Sequence, residues 1–296
     1  MLKVPSNFVV NKTRLQAYFH KPENPTDTQL PIVVMANGYA TEWQFGTNQF
    51  IRAFADAGIA TLNFDYRSFG ESEGIPRQVV NIPGQQEDFL AAVEHAKKQP
   101  WVDTSRIVIW GSSLGGGHAI STAAKLPEVC AMVAQVPHCC SRAAFKTVTL
   151  GSVFSNISKA IADSMKSLFS SHPILVPILA EPGQAGVMTH ANWLREYQVL
   201  AGDSPTWQNA MPARSLLKGG DYRPLMVADQ IQCPSLIVAA ENDAGVPLDS
   251  VKETVNKIQQ GELKIIKGDH FGVYQGDPIE DVIASELAFI KKHVFK

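Results

Sequence analysis

Blocks of like charge are absent from the 296 residues, and the net charge is only −2. A nucleic-acid-binding chain would carry a basic face or stripe, and a membrane-surface protein a polybasic segment; the sequence offers neither. No run approaches the roughly 20 apolar residues needed to cross a bilayer, so no membrane span is expected. Cysteine is scarce: Cys130, Cys139, Cys140 and Cys233. Two of the four are adjacent, and the spacing matches no zinc or redox pattern. Residues Met1 to Asn7 lack the apolar run of a secretion signal, so the expectation is a reduced, cytoplasmic protein.

Hydrophobic residues make up 45% and charged residues 18%, ordinary for a globular protein. A chain of this length buries a sizeable core without help from disulfides or metals. Phe8 to Val10 and Leu15 to His20 flank a polar turn at Asn11, Lys12 and Thr13 and read as a hairpin. Pro31 to Ala36 is a continuous apolar run, the mark of a strand buried on both faces. Helical spacing (Phe50, Ile51, Phe54, Ala57), a strand (Ile59 to Phe64), a helix around Phe89 to Ala96, a strand (Ile107 to Trp110), a helix (Ser113 to Ala124) and a strand (Val129 to Val136) follow. The rhythm then stops, with no convincing strand from about His138 to Arg223. It resumes with a strand at Ser235 to Ala240, a helix at Leu248 to Ile258, a strand at Leu263 to Ile266 and a last helix, for which Asp277 is the expected N-cap. Strand and helix in short alternation imply a mostly parallel sheet with helices on both faces. The expected division is an α/β core over 1–137 and 224–296 and a mostly helical insertion over 138–223.

The motif that carries chemistry is Gly111-Ser112-Ser113-Leu114-Gly115, a G-x-S-x-G with Ser113 at its centre. Such a pentapeptide arises by chance in roughly one chain in ten of this length. Its context is more specific: a buried strand leads in and a helix leads out. A serine on so tight a turn has a strained backbone, and the residues two before and two after it must be small. Ser112 lacks glycines at those offsets. The competing reading, a phosphate-binding turn, fails because no lysine follows the glycines and the spacing misses G-x-G-x-x-G.

A serine hydroxyl needs a base to take its proton. Of eight histidines, His270 follows the last strand, and loops after parallel strands gather at the sheet edge where Ser113 sits. The base needs a carboxylate to orient it. Asp243 follows the preceding strand; Glu241, nearer the strand end, and Asp269, beside the histidine, are its rivals.

The order Ser113, Asp243, His270 resembles that of the α/β-hydrolases, and the resemblance covers nearly the whole chain. Asp65-Tyr66-Arg67-Ser68-Phe69-Gly70-Glu71-Ser72 is similar to that family's D-x-R-x-x-G-x-S loop, and Asn37-Gly38-Tyr39 stands where the family usually has His-Gly. The Arg67 loop is read as a turn support rather than a catalytic element. The resemblance implies a catalytic triad on a nucleophile elbow, an oxyanion hole made by the N–H groups of Tyr39 and Leu114, and a lid formed by the insertion. Short patches (Gly116-Gly117-His118, Ala134 to Pro137, Trp207-Gln208-Asn209 and Gly268 to Phe271) resemble a subgroup containing fungal polyketide transacylases and their bacterial hydrolase relatives.

The expected enzyme is therefore a serine esterase or thioesterase acting on a small-molecule acyl substrate, without metal or cofactor. An acyltransferase with the same triad is the rival, and a peptidase a more distant one. A binding protein on a dead scaffold is disfavoured because all three triad residues are present. Trp207, Ile174 and Leu175 are candidates for the acyl pocket, with Trp193; forming the lid's own core is the equal alternative. Oligomeric state is open, with a homodimer as one option.

Overall fold

The computed structural model describes residues 1–25, 28–145, 150–219 and 221–295. Residues 26–27 of the expected loop, 146–149 and 220 of the expected insertion, and 296 lie outside the described residues.

Eight strands form one sheet in the order β1-β2-β4-β3-β5-β6-β9-β10. The hairpin comprises β1 (Leu2–Val10) and β2 (Thr13–Lys21). Its turn is two residues, Asn11 and Lys12, both at positive φ, a geometry whose twist suits a tight hairpin. Thr13 already belongs to β2. Strand β1 starts earlier than expected because an edge strand tolerates Pro5 and needs no apolar alternation. Then come β3 (Leu30–Ala36), α1 (Asn48–Asp56), β4 (Ala60–Phe64), α2 (Ile82–Lys97), β5 (Val102–Ser112), α3 (Leu114–Ala123) and β6 (Ala131–Gln135). After the insertion come β9 (Ser235–Ala240), α7 (Leu248–Lys257), β10 (Gly261–Ile266) and α8 (Pro278–Val294). Strands β4, β3, β5, β6, β9 and β10 pair with one another in parallel, whereas β2 pairs with β4 antiparallel. Every residue of β3, β4, β6 and β9 is buried, because helices cover both faces. The edge strand β10 is mostly open to solvent.

Between β6 and β9 the chain forms α4 (Ser141–Phe145), α5 (Leu150–Lys166), β7 (Leu175–Val176), α6 (Trp193–Ala201) and β8 (Met211–Pro212), then three short 3-10 turns. Strands β7 and β8 pair antiparallel, a correction to the strandless expectation; two residues are too short for any alternation to register. Asp163 of α5 ties this segment together. Its buried carboxylate accepts from Arg214 Nε at 2.7 Å and from the N–H groups of Ile174 and Arg214. Glu42 holds the segment to the core by accepting from Ser204 Oγ and Thr206 Oγ1, each at 2.6 Å.

The Arg67 loop is braced from within. Arg67 Nη2 donates to the fully buried Asp88 of α2 at 2.6 Å, and its N–H donates to the same carboxylate. Asp65 accepts the N–H groups of Trp43 and Glu71, and burial pushes its carboxyl up to about 7.

One feature of α8 departs from expectation. Asp277 makes no side-chain cap: its φ of −58° is already helical, so the carboxylate does not reach back to the first turn. Glu286 of the same helix is fully buried, accepting from Trp110 Nε1 at 2.8 Å. Burial pushes its carboxyl up to about 8, against the opposing Trp110 bond. Below the usual carboxylate range, folded and unfolded chains are both protonated here. Between that range and about 8, the folded chain keeps a proton that the unfolded chain has released. Stability therefore falls as pH rises through this window, by at most about 1.4 kcal/mol per pH unit. The Glu286→Gln variant loses that part of the slope in urea-unfolding midpoints between about pH 5 and 8. Parallel curves for the two proteins would show that Glu286 folds as a carboxylate.

Candidate active site

Strand β5 ends at Ser112, and Ser113 turns the chain into α3 with φ 56° and ψ −118°. Left-handed φ at a non-glycine residue costs roughly 1–2 kcal/mol and persists only where its surroundings impose it. Here they do. Ser113 N–H donates to Gln135 O at 2.9 Å, and His138 N–H donates to Ser113 O at 2.8 Å, locking the turn to the end of β6. A Cβ on Gly111 would lie 2.0 Å from Gly115 O, and one on Gly115 would lie 2.3 Å from Ala36 O. Both flanking glycines are thus required by backbone contact.

Sheet topology brings the other two side chains to this edge. His270, in the loop after β10, places Nε2 3.1 Å from Ser113 Oγ and Nδ1 2.6 Å from Asp243 Oδ2. Asp243, in the loop after β9, uses its other oxygen to accept from Gly245 N–H at 2.9 Å and Val246 N–H at 2.8 Å. One carboxylate oxygen is thereby fixed by backbone and the other by the imidazole. Both side chains are nearly excluded from water, at 3% and 2% exposure, so their hydrogen bond is not exchanged for solvent. Neither rival acid reaches the imidazole. Glu241 is exposed, and Asp269 accepts the N–H of Phe271 instead.

Trp193 of α6 stacks on the His270 ring, with centroids 4.9 Å apart and planes at 25°. Gly245 makes room for it, since a Cβ there would lie 2.3 Å from the indole. Gly38 lies against the nucleophile: a Cβ added to it would be 3.5 Å from Ser113 Cβ. The neighbouring Tyr39 shares a cavity wall with Ser113 and Leu114. Leu114 opens α3, so its N–H has no partner within the helix and is available to an anion.

That cavity measures about 200 Å³ and is lined largely by Val80, Ile82, Val187, Met188, Trp193 and Leu216. Its polar wall includes His138, Ser141, His190 and Ser215, and among the described residues no Lys, Arg, Asp or Glu. Burial holds the His138 imidazole down to about 4, so it is neutral near pH 7; burial lowers His190 as well. The three candidate pocket residues lie elsewhere. Trp207 donates its indole N–H to Ala40 O at 2.9 Å and packs edge-on to Phe45. Ile174 is tied by its backbone to Asp163 and Ala213, and Leu175 is 52% exposed. All three belong to the frame of the insertion. The lining at Val80, Ile82 and Val187 carries no local signal in the sequence, because separate loops meet there only through the fold.

Comparisons with known proteins agree on a family. Residues 29–270 match the model described as serine aminopeptidase, S33. The quorum-quenching protein AidA of Acinetobacter baumannii is 30% identical over 287 residues, 97% of this chain and 94% of that protein. Thiohydrolase aneE of Aspergillus aculeatus is 32% identical over 276 residues, 88% of this chain and 85% of that one. Polyketide transferase grgF of Penicillium sp. is 25% identical over 275 residues, 91% of this chain and 90% of that one. The solved structure of the α/β-hydrolase GrgF from Penicillium sp. sh18 superposes with a TM-score of 0.86 at 23% identity, covering 100% of both chains.

Proposed function

Because the chain belongs to the serine aminopeptidase S33 family of α/β-hydrolases, we propose that it cleaves carboxylic esters or thioesters through an acyl-enzyme on Ser113. The observation that carries this reading is the continuous relay from Asp243 through His270 to Ser113, opening onto an uncharged apolar cavity. The Nδ1–H of His270 donates to Asp243, which leaves Nε2 to accept the Ser113 proton as Oγ attacks the acyl carbon. The oxyanion meets the N–H groups of Tyr39 and Leu114; one such donor is typically worth about 2.7–4 kcal/mol. His270 then returns its proton to the leaving group, and water releases the acid.

The cavity chemistry favours an uncharged acyl part. An aminopeptidase must hold a free α-ammonium, and the described lining offers no carboxylate for it. Segment 138–223 supports the role of a lid, since Val187, Met188, His190, Trp193, Ser215 and Leu216 all come from it. Relatives named thiohydrolase support the thioester arm, and the relative named polyketide transferase supports the alternative of transfer to an alcohol or amine.

The test is intact-mass analysis after mixing with p-nitrophenyl esters of increasing acyl length. The expected result is an adduct of acyl mass on Ser113, strongest for chains that fill the cavity. No adduct with any ester, under conditions where turnover proceeds, rules out the covalent route.

A further inference from the structure

Ser113 and His270 stand between two cavities. One is the apolar cavity assigned above to the acyl part. The other is a crevice on the opposite side, walled by Asn37, Gly38, Thr41, Trp110, Ser112 and Tyr274, among others. Among the described residues, Ser113 and His270 are the only ones common to both linings. The crevice offers about 20 Å³ to the centre of a water-sized sphere. One water needs about 10–15 Å³ by the same measure, so a single water fits and an alcohol with a carbon chain does not.

The crevice also has chemistry to hold that water. Asn37 donates Nδ2–H to Phe64 O at 2.8 Å, which fixes the orientation of its amide. Its Oδ1 is buried and has no hydrogen-bond partner among the described residues, although the residue is only 3% exposed. Buried acceptors are nearly always paired with protein or an ordered water. Ser112 Oγ and Tyr274 OH, 2.6 Å apart, satisfy each other and form part of the same wall.

The geometry points to this crevice as the seat of the water that deacylates the enzyme, with Asn37 Oδ1 accepting one of its protons. The inference rests on the acyl-enzyme reading above. A water held through its two protons, by Asn37 Oδ1 and His270 Nε2, keeps an oxygen lone pair free for the acyl carbon. As the O–C bond forms, the second proton passes to Nε2. The tetrahedral intermediate then collapses, the C–Oγ bond breaks, and His270 returns its proton to Ser113 Oγ. The acid leaves with the water's oxygen, and the enzyme is regenerated.

The test separates acylation from deacylation with a p-nitrophenyl ester. Asn37→Leu removes the acceptor at similar volume. The expected result is an unchanged burst of p-nitrophenol, then turnover slowed at least about 10-fold, with acyl-enzyme visible by mass. Thr41→Leu narrows the crevice and leaves the Asn37–Phe64 bond intact; it gives the same split, which guards against a folding defect in the first variant. The proposal is overturned if burst and turnover fall together in both variants, or if turnover is unchanged. Turnover that survives Ser113→Ala is a different failure, that of the acyl-enzyme reading itself.

Discussion

Ser113→Ala leaves the fold intact and lowers kcat on acyl esters by a factor on the order of 10⁵–10⁶. The size follows from what is removed. Without Oγ there is no covalent route, and the His270 base has no proton to take from the chain. Cavity and oxyanion donors survive, so a residual acceleration of roughly 10³–10⁴ over water remains. Stability gives a second readout at the same residue. Alanine at φ 56° keeps the backbone strain, whereas glycine releases it. Ser113→Gly is therefore equally inactive but more resistant to urea, by about 1 kcal/mol. A protein in which Ser113→Ala retains a tenth or more of its activity does not use this serine, whatever the distance to His270.

Asp243→Asn lowers kcat by about 10⁴, with little change in melting temperature. The reason lies in which oxygen is already committed. The N–H groups of Gly245 and Val246 donate to Oδ1, so an asparagine must turn its carbonyl toward them. Its NH₂ then occupies the place of Oδ2, facing Nδ1 of His270. Two donors cannot share that contact, so Nδ1 becomes the acceptor and the ring proton moves to Nε2. The face toward Ser113 is then protonated and cannot serve as base. Activity measured against the parent protein over a pH series checks this, and a loss smaller than 10-fold would assign Asp243 to holding its loop rather than to orienting the imidazole.

Both predictions concern side chains that are visible in the sequence, and the reason is local. A nucleophile on a strand-to-helix turn needs small neighbours at fixed offsets, so Gly111, Ser113 and Gly115 mark themselves within five residues. Strands covered on both faces are mostly apolar, so β3 reads directly as an uninterrupted run, while β4 carries Thr61 and Asn63, which hydrogen-bond to each other inside the core. Parallel strands deliver their following loops to one edge, which is why His270 and Asp243 could be placed near Ser113 from strand order alone.

Other features depend on partners far away in the chain. Glu286 of α8 is one, since nothing near it in the sequence marks its burial against the indole of Trp110, 176 residues away. Trp207 and Trp193 look alike as lid aromatics, yet one braces the Ala40 carbonyl and the other covers the His270 ring. Local sequence determines periodicity, turn sterics and chemical repertoire, because these are set by covalent neighbours a few residues apart. Which wall meets which cavity, and which buried polar atom finds a partner, is decided only when distant segments pack, because desolvation and hydrogen bonding there depend on every surface that closes around the group.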